Sequence, residues 1–142
     1  MKELTAQYLA EFCSELALLV RSGVSPSDGL ELMRDDDDDR SSRALLSALV
    51  TLMETQPPLS SALAASGRFP EYFVSAIRLG ERTGRVDDTL ASLSTYYERR
   101  AWFEENLRKA VSYPLLLIVL MAVVVVVLIT KVLPIFENVF DQ

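Results

Sequence analysis

The sequence predicts an all-α protein: a six-helix bundle whose last helix continues into a transmembrane helix. Three observations carry this. Apolar residues recur at three- and four-residue steps through most of the chain, the spacing that lines one face of an α-helix. Glycine, proline and aspartate-rich breaks interrupt that pattern often enough to keep the first five helices short. From Tyr113 to Ile129 no residue carries a charge, and a helix continuing past Lys131 to Phe136 would span the roughly 30 Å core of a bilayer. This run is apolar on every face rather than along one stripe, which distinguishes a membrane helix from the core helix of a soluble domain.

The first helix spans Leu4 to Ser22, where Leu4, Tyr8, Leu9, Phe12, Leu16, Leu19 and Val20 form one face. Gly23 suits the left-handed position that ends a helix. Ser25 is placed to cap the second helix, Pro26 to occupy its first position and Asp28 to face its positive end, with the helix running to about Arg34. Asp35 to Asp39 is a run of like charges whose mutual repulsion predicts a solvated loop. It lacks the alternating ligands, central glycine and final glutamate of an EF-hand calcium loop.

A third helix is predicted from Ala44 to Glu54, with Leu45, Leu46, Leu49, Val50 and Met53 on one face, and Gln56-Pro57-Pro58 ends it. Ser60 is expected to cap a short fourth helix that closes near Ser66-Gly67. Phe69-Pro70 then turns the chain into a fifth helix, Glu71 to Arg82, with Phe73, Ala76, Ile77 and Gly80 on its buried face. Gly80 permits close helix approach, at a cost of about 1 kcal/mol in helix propensity. Thr83-Gly84 ends this helix, and Asp87 is expected to cap the sixth, with Leu90, Leu93, Tyr97 and Ala101 as its stripe.

No proline or glycine lies between Asp87 and Tyr113, so the sixth helix can run directly into the membrane span and join it stiffly to the bundle. Pro114 removes the bond to the carbonyl of Ala110, which predicts a kink there. Tyr113 is placed for an interfacial aromatic belt, whereas Trp102 suits packing on the bundle or a partner. Three segments, Gly23 to Leu30, Gln56 to Leu63 and Gly84 to Leu90, repeat a theme of helix end, tight turn and Leu-bearing helix without forming a strict repeat.

Arg99, Arg100, Arg108 and Lys109 precede the apolar run and only Lys131 follows it before Glu137 and Asp141, so the positive-inside rule puts the N-terminal domain in the cytoplasm. The predicted organisation is a cytoplasmic bundle at 1–109, a transmembrane helix at 110–136 and a short extracytoplasmic tail at 137–142. A net charge of -6 argues against nucleic acid as a partner, and the absence of histidine weakens any His-based catalysis or metal site. Cys13, the single cysteine, reads as a small buried hydrophobe and admits no intramolecular disulfide.

No phosphate-binding glycine loop, metal-ligand motif or nucleophile elbow is present, so neither an enzyme nor a bound cofactor is expected. Glu81 and Glu98 lack a second carboxylate in catalytic register. The polar stretch Gly80-Glu81-Arg82-Thr83-Gly84, between two apolar helices, is instead a candidate contact surface.

Gly23 before a capped Leu-bearing helix, Phe69-Pro70, Gly80-Glu81 with Gly84, Leu90, Tyr113-Pro114, and Leu133-Pro134 with Phe136 occur in that order. Together they resemble the F-domain inner-membrane platform proteins of type II secretion and type IV pilus assembly systems. The resemblance covers nearly the whole chain. It implies a helical cytoplasmic bundle followed by a first membrane helix, with Gly23, Pro70, Tyr113, Pro114, Pro134 and Phe136 as structural motif positions. It also implies a non-enzymatic protein of the bacterial inner membrane, on which pilin-like subunits are assembled. Its implied partners are a cytoplasmic assembly ATPase, other platform proteins, membrane lipid and further copies of itself.

Members of that family usually carry a second bundle and further spans, so a chain ending soon after Phe136 is expected to be a fragment or one part of a split gene. Gln56-Pro57, where a glycine-containing turn is usual, and the Asp35 to Asp39 run depart from the pattern. The alternative reading is a membrane-anchored helical sensor or adaptor of another system, with its acidic residues holding a divalent cation.

Overall fold

The computed structural model describes residues 4–132 and residue 135. Six α-helices follow in order: α1 (Ala6–Arg21), α2 (Pro26–Asp36), α3 (Arg40–Thr55), α4 (Leu59–Ser66), α5 (Glu71–Thr83) and α6 (Val86–Val127). A π-helical turn, Leu128–Val132, continues α6. No strand occurs among the described residues. The chain divides into two compact units, Met1–Ala101 and Trp102–Gln142, with the boundary inside α6.

In the first unit α1 to α5 pack in succession, each on the next. Their apolar stripes converge on one core in which Leu16, Leu30, Leu49, Leu63, Ile77 and Leu90 are inaccessible to solvent. An aromatic group lies at its centre: Phe12 packs on Phe69 and Phe73 at centroid distances of 5.3 and 6.2 Å, and Phe73 meets Tyr97 of α6 at 5.9 Å. Tilted rings at these separations add to the stabilisation from burial alone. Cys13 is fully buried here, and burial pushes its thiol up to about 12.

Turn chemistry fixes where the helices stop. Gly23 (φ +91°) and Gly84 (φ +68°) adopt the left-handed conformation that glycine tolerates without steric cost. Both build the same doubly bonded turn. At the end of α1 the N–H groups of Gly23 and Val24 donate to the carbonyls of Val20 and Leu19 at 3.0 and 3.1 Å. At the end of α5 those of Gly84 and Arg85 donate to Glu81 and Gly80 at 3.3 and 2.8 Å. The expected cap of α2 is present, with Ser25 Oγ accepting the N–H of Asp28 at 3.2 Å and Pro26 in the first helical position.

Three local expectations need correction. Asp35 and Asp36 belong to the last turn of α2 rather than to a loop, and only Asp37 to Asp39 leave the helix. Arg34 offsets the charge by pairing with Asp35 at 3.0 Å, and Asp39 becomes the cap of α3 by accepting the N–H of Ser42 at 2.9 Å. Asp87 does not cap α6: the carbonyl of Arg85 accepts the N–H of Thr89, so the helix starts earlier and Asp87 sits in its first turn. There its charge still faces the positive helix end. Ser60 is the third correction; it lies inside α4 while Pro58 holds the cap position without a side-chain acceptor.

The second unit carries the apolar run. Its helix is long and apolar enough to cross a membrane, and from Tyr113 to Ile129 every side chain is exposed. The helix continues through Pro114 without a break. Thr130 Oγ1 donates to the carbonyl of Val126 at 2.8 Å, which satisfies its hydroxyl within the helix. Lys109 pairs with Glu105 one turn earlier at 2.7 Å. Pro134 and Phe136 lie outside the described residues.

Candidate functional site

Gly80 to Gly84 forms the last turn of α5 and the corner leading into α6. Its residues split into two groups. Gly80 is buried and Glu81 half-buried, whereas Arg82, Thr83 and Gly84 are exposed. Gly80 continues the stripe set by Phe73 and Ile77 and Arg82 rotates towards solvent, whereas Thr83 and Gly84 are exposed because they lie at the end of the helix.

Gly80 lies against the start of α6. A Cβ built there would collide with Thr89 Oγ1, touch Thr89 Cβ at 3.0 Å and meet the Arg85 carbonyl at 3.3 Å. Any side chain at this position would force Thr89 to shift.

Glu81 reaches out of α5 to the start of α4. Its Oε1 accepts the N–H of Ser60 at 3.0 Å, and its Oε2 accepts the Ser60 hydroxyl at 2.5 Å. The first helical N–H groups of α4 lack a local acceptor because Pro58 precedes them, so a carboxylate from a neighbouring helix supplies one. The negative charge also lies at the positive end of α4. Ser60 is only 1% exposed, so losing this partner would leave two buried donors unsatisfied. Glu81 is thus a tertiary cap that ties α4 to α5.

The outward group is a polar corner. Thr83 returns its hydroxyl proton to the carbonyl of Leu79 at 3.0 Å, and Arg82 projects beside it from the exposed face of α5. Asp88, in the first turn of α6, pairs with Arg85 at 3.8 Å and with Arg21 of α1 at 3.6 Å. The Arg21 contact brings the end of α1, and with it the Gly23 turn, to the same end of the bundle as the Gly84 turn. Both pairs are exposed and contribute little to stability. They do present guanidinium groups around one corner.

Pro70 takes the cap position of α5, its carbonyl accepting the N–H of Val74 at 3.1 Å while Phe69 beside it enters the aromatic core. Tyr113 and Pro114 lie on α6 in the second unit, where Tyr113 is 68% exposed. The candidate positions therefore do not form one site: Gly80 to Gly84 and Gly23 share an end of the bundle, and Pro70 has a packing role. Among the described residues no group of three or more His, Cys, Asp or Glu side chains is arranged to hold a metal ion.

Sequence reasoning missed Ser60 as the partner of Glu81 and Thr89 as the neighbour of Gly80. The Ser60–Glu81 bond spans 21 residues, and no local pattern signals a pairing at that separation.

Residues 12–134 match the protein F family of the type II secretion system. The chain is 33% identical over 132 residues to a type 4 fimbrial assembly protein, PilC, of Pseudomonas putida, an alignment covering 92% of this chain and 33% of that protein. It is 30% identical over 132 residues to the protein transport protein HofC homolog of Escherichia coli, with the same coverage of each. Against the type II secretion system protein F of Xanthomonas campestris it is 28% identical over 135 residues, covering 94% of this chain and 33% of the relative. The chain thus spans about a third of the length of these curated relatives.

Proposed function

Because the chain belongs to the type II secretion system protein F family, we propose that it is an inner-membrane platform component of a type II secretion or type IV pilus-like assembly machine. The observation that carries this is the family match over residues 12–134, which takes in both the helical bundle and the apolar helix. The role is structural: the bundle, at 1–109, lies in the cytoplasm, 110–136 crosses the membrane and 137–142 emerges beyond it. The positive-inside rule supports this orientation, since Arg99, Arg100, Arg108 and Lys109 precede the uncharged run Tyr113 to Ile129 and Lys131 alone follows it before Glu137.

In this reading the bundle docks the cytoplasmic assembly ATPase and neighbouring platform subunits, including further copies of itself, and so supports the assembly of pilin-like subunits and protein export. The outward corner of Arg82, Thr83 and Gly84 is a contact surface. Gly80 and Glu81 hold that corner in place from inside. Helix α6 carries load between the bundle and the membrane.

Affinity capture tests the docking. The tagged chain, solubilised in mild detergent, is incubated with the cognate ATPase; co-purification is expected, and Arg82→Glu should weaken it while leaving helicity unchanged. Absence of the ATPase from the intact chain's eluate, under conditions where the ATPase itself is folded and hexameric, would count against docking.

A further inference from the structure

A groove of about 890 Å³ lies between α1, α2 and the start of α3, at a place the contact corner does not use. Its floor is apolar, made by Phe12, Leu19, Met33 and Leu46, and Leu18 and Leu32 extend the apolar surface to its edge. Those two leucines are 68% and 51% exposed. Tyr8 and Ser42, hydroxyl to hydroxyl at 3.0 Å, tie α1 to α3 beside the floor.

The rim has one sign of charge. Glu11 and Glu15 of α1 face Asp35 to Asp39 across the groove, and no Lys or Arg is among the described residues that line it. Of these carboxylates only Asp35 enters a described ion pair, with Arg34. Burial first, then Asp37, Glu11 and Asp36, push the Glu15 carboxyl above its ordinary value, as expected where like charges crowd without a counter-charge.

Different ligands answer these two features differently. Anionic lipid headgroups and nucleic acid are repelled by the rim. A bare cation would offset the charge but leave Leu18 and Leu32 in water, and an uncharged apolar segment would cover the leucines but leave the carboxylates uncompensated. A helix bearing large apolar residues at i, i+3 or i+4 and i+7, flanked by Lys or Arg, satisfies both. We propose that this groove docks a cationic amphipathic helix of a partner protein, its apolar anchors on the Phe12–Met33 floor and its basic residues against the acidic rim.

The test uses the full chain in nanodiscs of uncharged phosphatidylcholine, so that lipid does not attract the probe. The probe is a fluorescently labelled amphipathic helical peptide with a Leu stripe flanked by Lys; a second peptide carries Glu in place of every Lys. Fluorescence anisotropy should show the Lys peptide binding at least about tenfold more tightly than the Glu peptide, with affinity falling as salt is raised. The double variant Leu18→Asp, Leu32→Asp should weaken the Lys peptide by about tenfold. Asp36→Asn with Asp38→Asn should flatten the salt dependence while leaving the leucine contacts intact. All four residues are exposed, so the bundle should fold, and its melting curve by circular dichroism checks this.

Equal affinity for the two peptides, or no binding of either, would overturn the proposal. So would a Lys peptide indifferent to the two leucines yet displaced by millimolar calcium, because the rim would then act as a plain cation site.

Discussion

Leu49 and Leu116 are the same side chain in opposite surroundings: the first is fully buried in the bundle, and the second is 66% exposed on the apolar helix. In the unit Met1–Ala101 apolar residues occupy one face of each helix and polar residues the other, so burying the stripes against one another closes a core. In the unit Trp102–Gln142 the described run is apolar all round, and no arrangement of one helix can hide every face from water. The difference teaches that pattern, rather than apolar content, decides whether a helix takes its stabilisation from neighbouring helices or from lipid.

Substitutions that respect or violate each pattern test this contrast. The largest effect is expected for Phe73→Ala, which opens a cavity among Phe12, Phe69 and Tyr97 and should destabilise the bundle by about 3–5 kcal/mol, whereas Val124→Ala should leave bundle melting unchanged. Thermal unfolding followed by circular dichroism in nanodiscs checks both. Equal effects would mean that the apolar helix packs as a core element. Next in size, Val124→Arg places a charge near the middle of the apolar run and should disfavour insertion by about 2.5–3.5 kcal/mol. Carbonate extraction of membranes should release more of this variant than of the native chain, with the bundle still folded.

Within the bundle, Glu81→Ala removes the cap on α4 and should cost about 1–3 kcal/mol, because Ser60 keeps its buried donors and loses their acceptor. Hydrogen exchange should quicken at the Ser60 amide and the first turn of α4 more than elsewhere; uniform quickening would contradict a local tie. Gly80→Ala should cost about 1–2 kcal/mol, the clash with Thr89 outweighing a gain in helix propensity of about 1 kcal/mol. Adding Thr89→Ala removes the Oγ1 collision but keeps the Cβ contact, so it should restore part of the loss, and a double variant no better than the single would rule out the Oγ1 clash.

The smallest effect concerns pH. The Glu15 carboxyl is raised in the folded chain, chiefly by burial and then by Asp37, Glu11 and Asp36, so the fold binds this proton more tightly than the unfolded chain does. That contribution favours folding below the ordinary carboxylate range and is lost as pH rises through the raised value. Glu15→Gln should therefore raise the melting temperature slightly at about pH 7 and give no advantage at about pH 4. A gain that persists in acid would point to a cause other than charge.

Local chemistry made much of this fold legible. Pro26 after Ser25, and the glycines at 23, 67 and 84, place helix boundaries because the conformations they adopt or restrict are properties of the residue itself. The stripes named for the core are buried at Leu16, Leu49, Ile77, Leu90 and Tyr97, since helical period alone puts them on one face. The errors share a cause. Ser60 and Asp87 carry side chains that suit a cap, but the chain enters each helix two residues earlier, and neighbouring backbone groups decide the start. Charge alone predicts a loop for the aspartate run, yet the last turn of α2 extends into it.

The candidate corner shows the same limit more sharply. Gly80 was legible as a point of close approach because a residue without a Cβ has few other uses on a buried helix face. That Thr89 is what approaches it, and that Glu81 turns inward to hold α4, were not legible. Sequence by itself determined the helices, their buried faces and the all-round apolarity of the run from Tyr113 to Ile129, because period and residue chemistry act over a few positions. Only the tertiary structure decided the pairings, from Glu81 with Ser60 to the acidic rim across the groove from Glu15, because residues far apart in sequence meet only when helices pack.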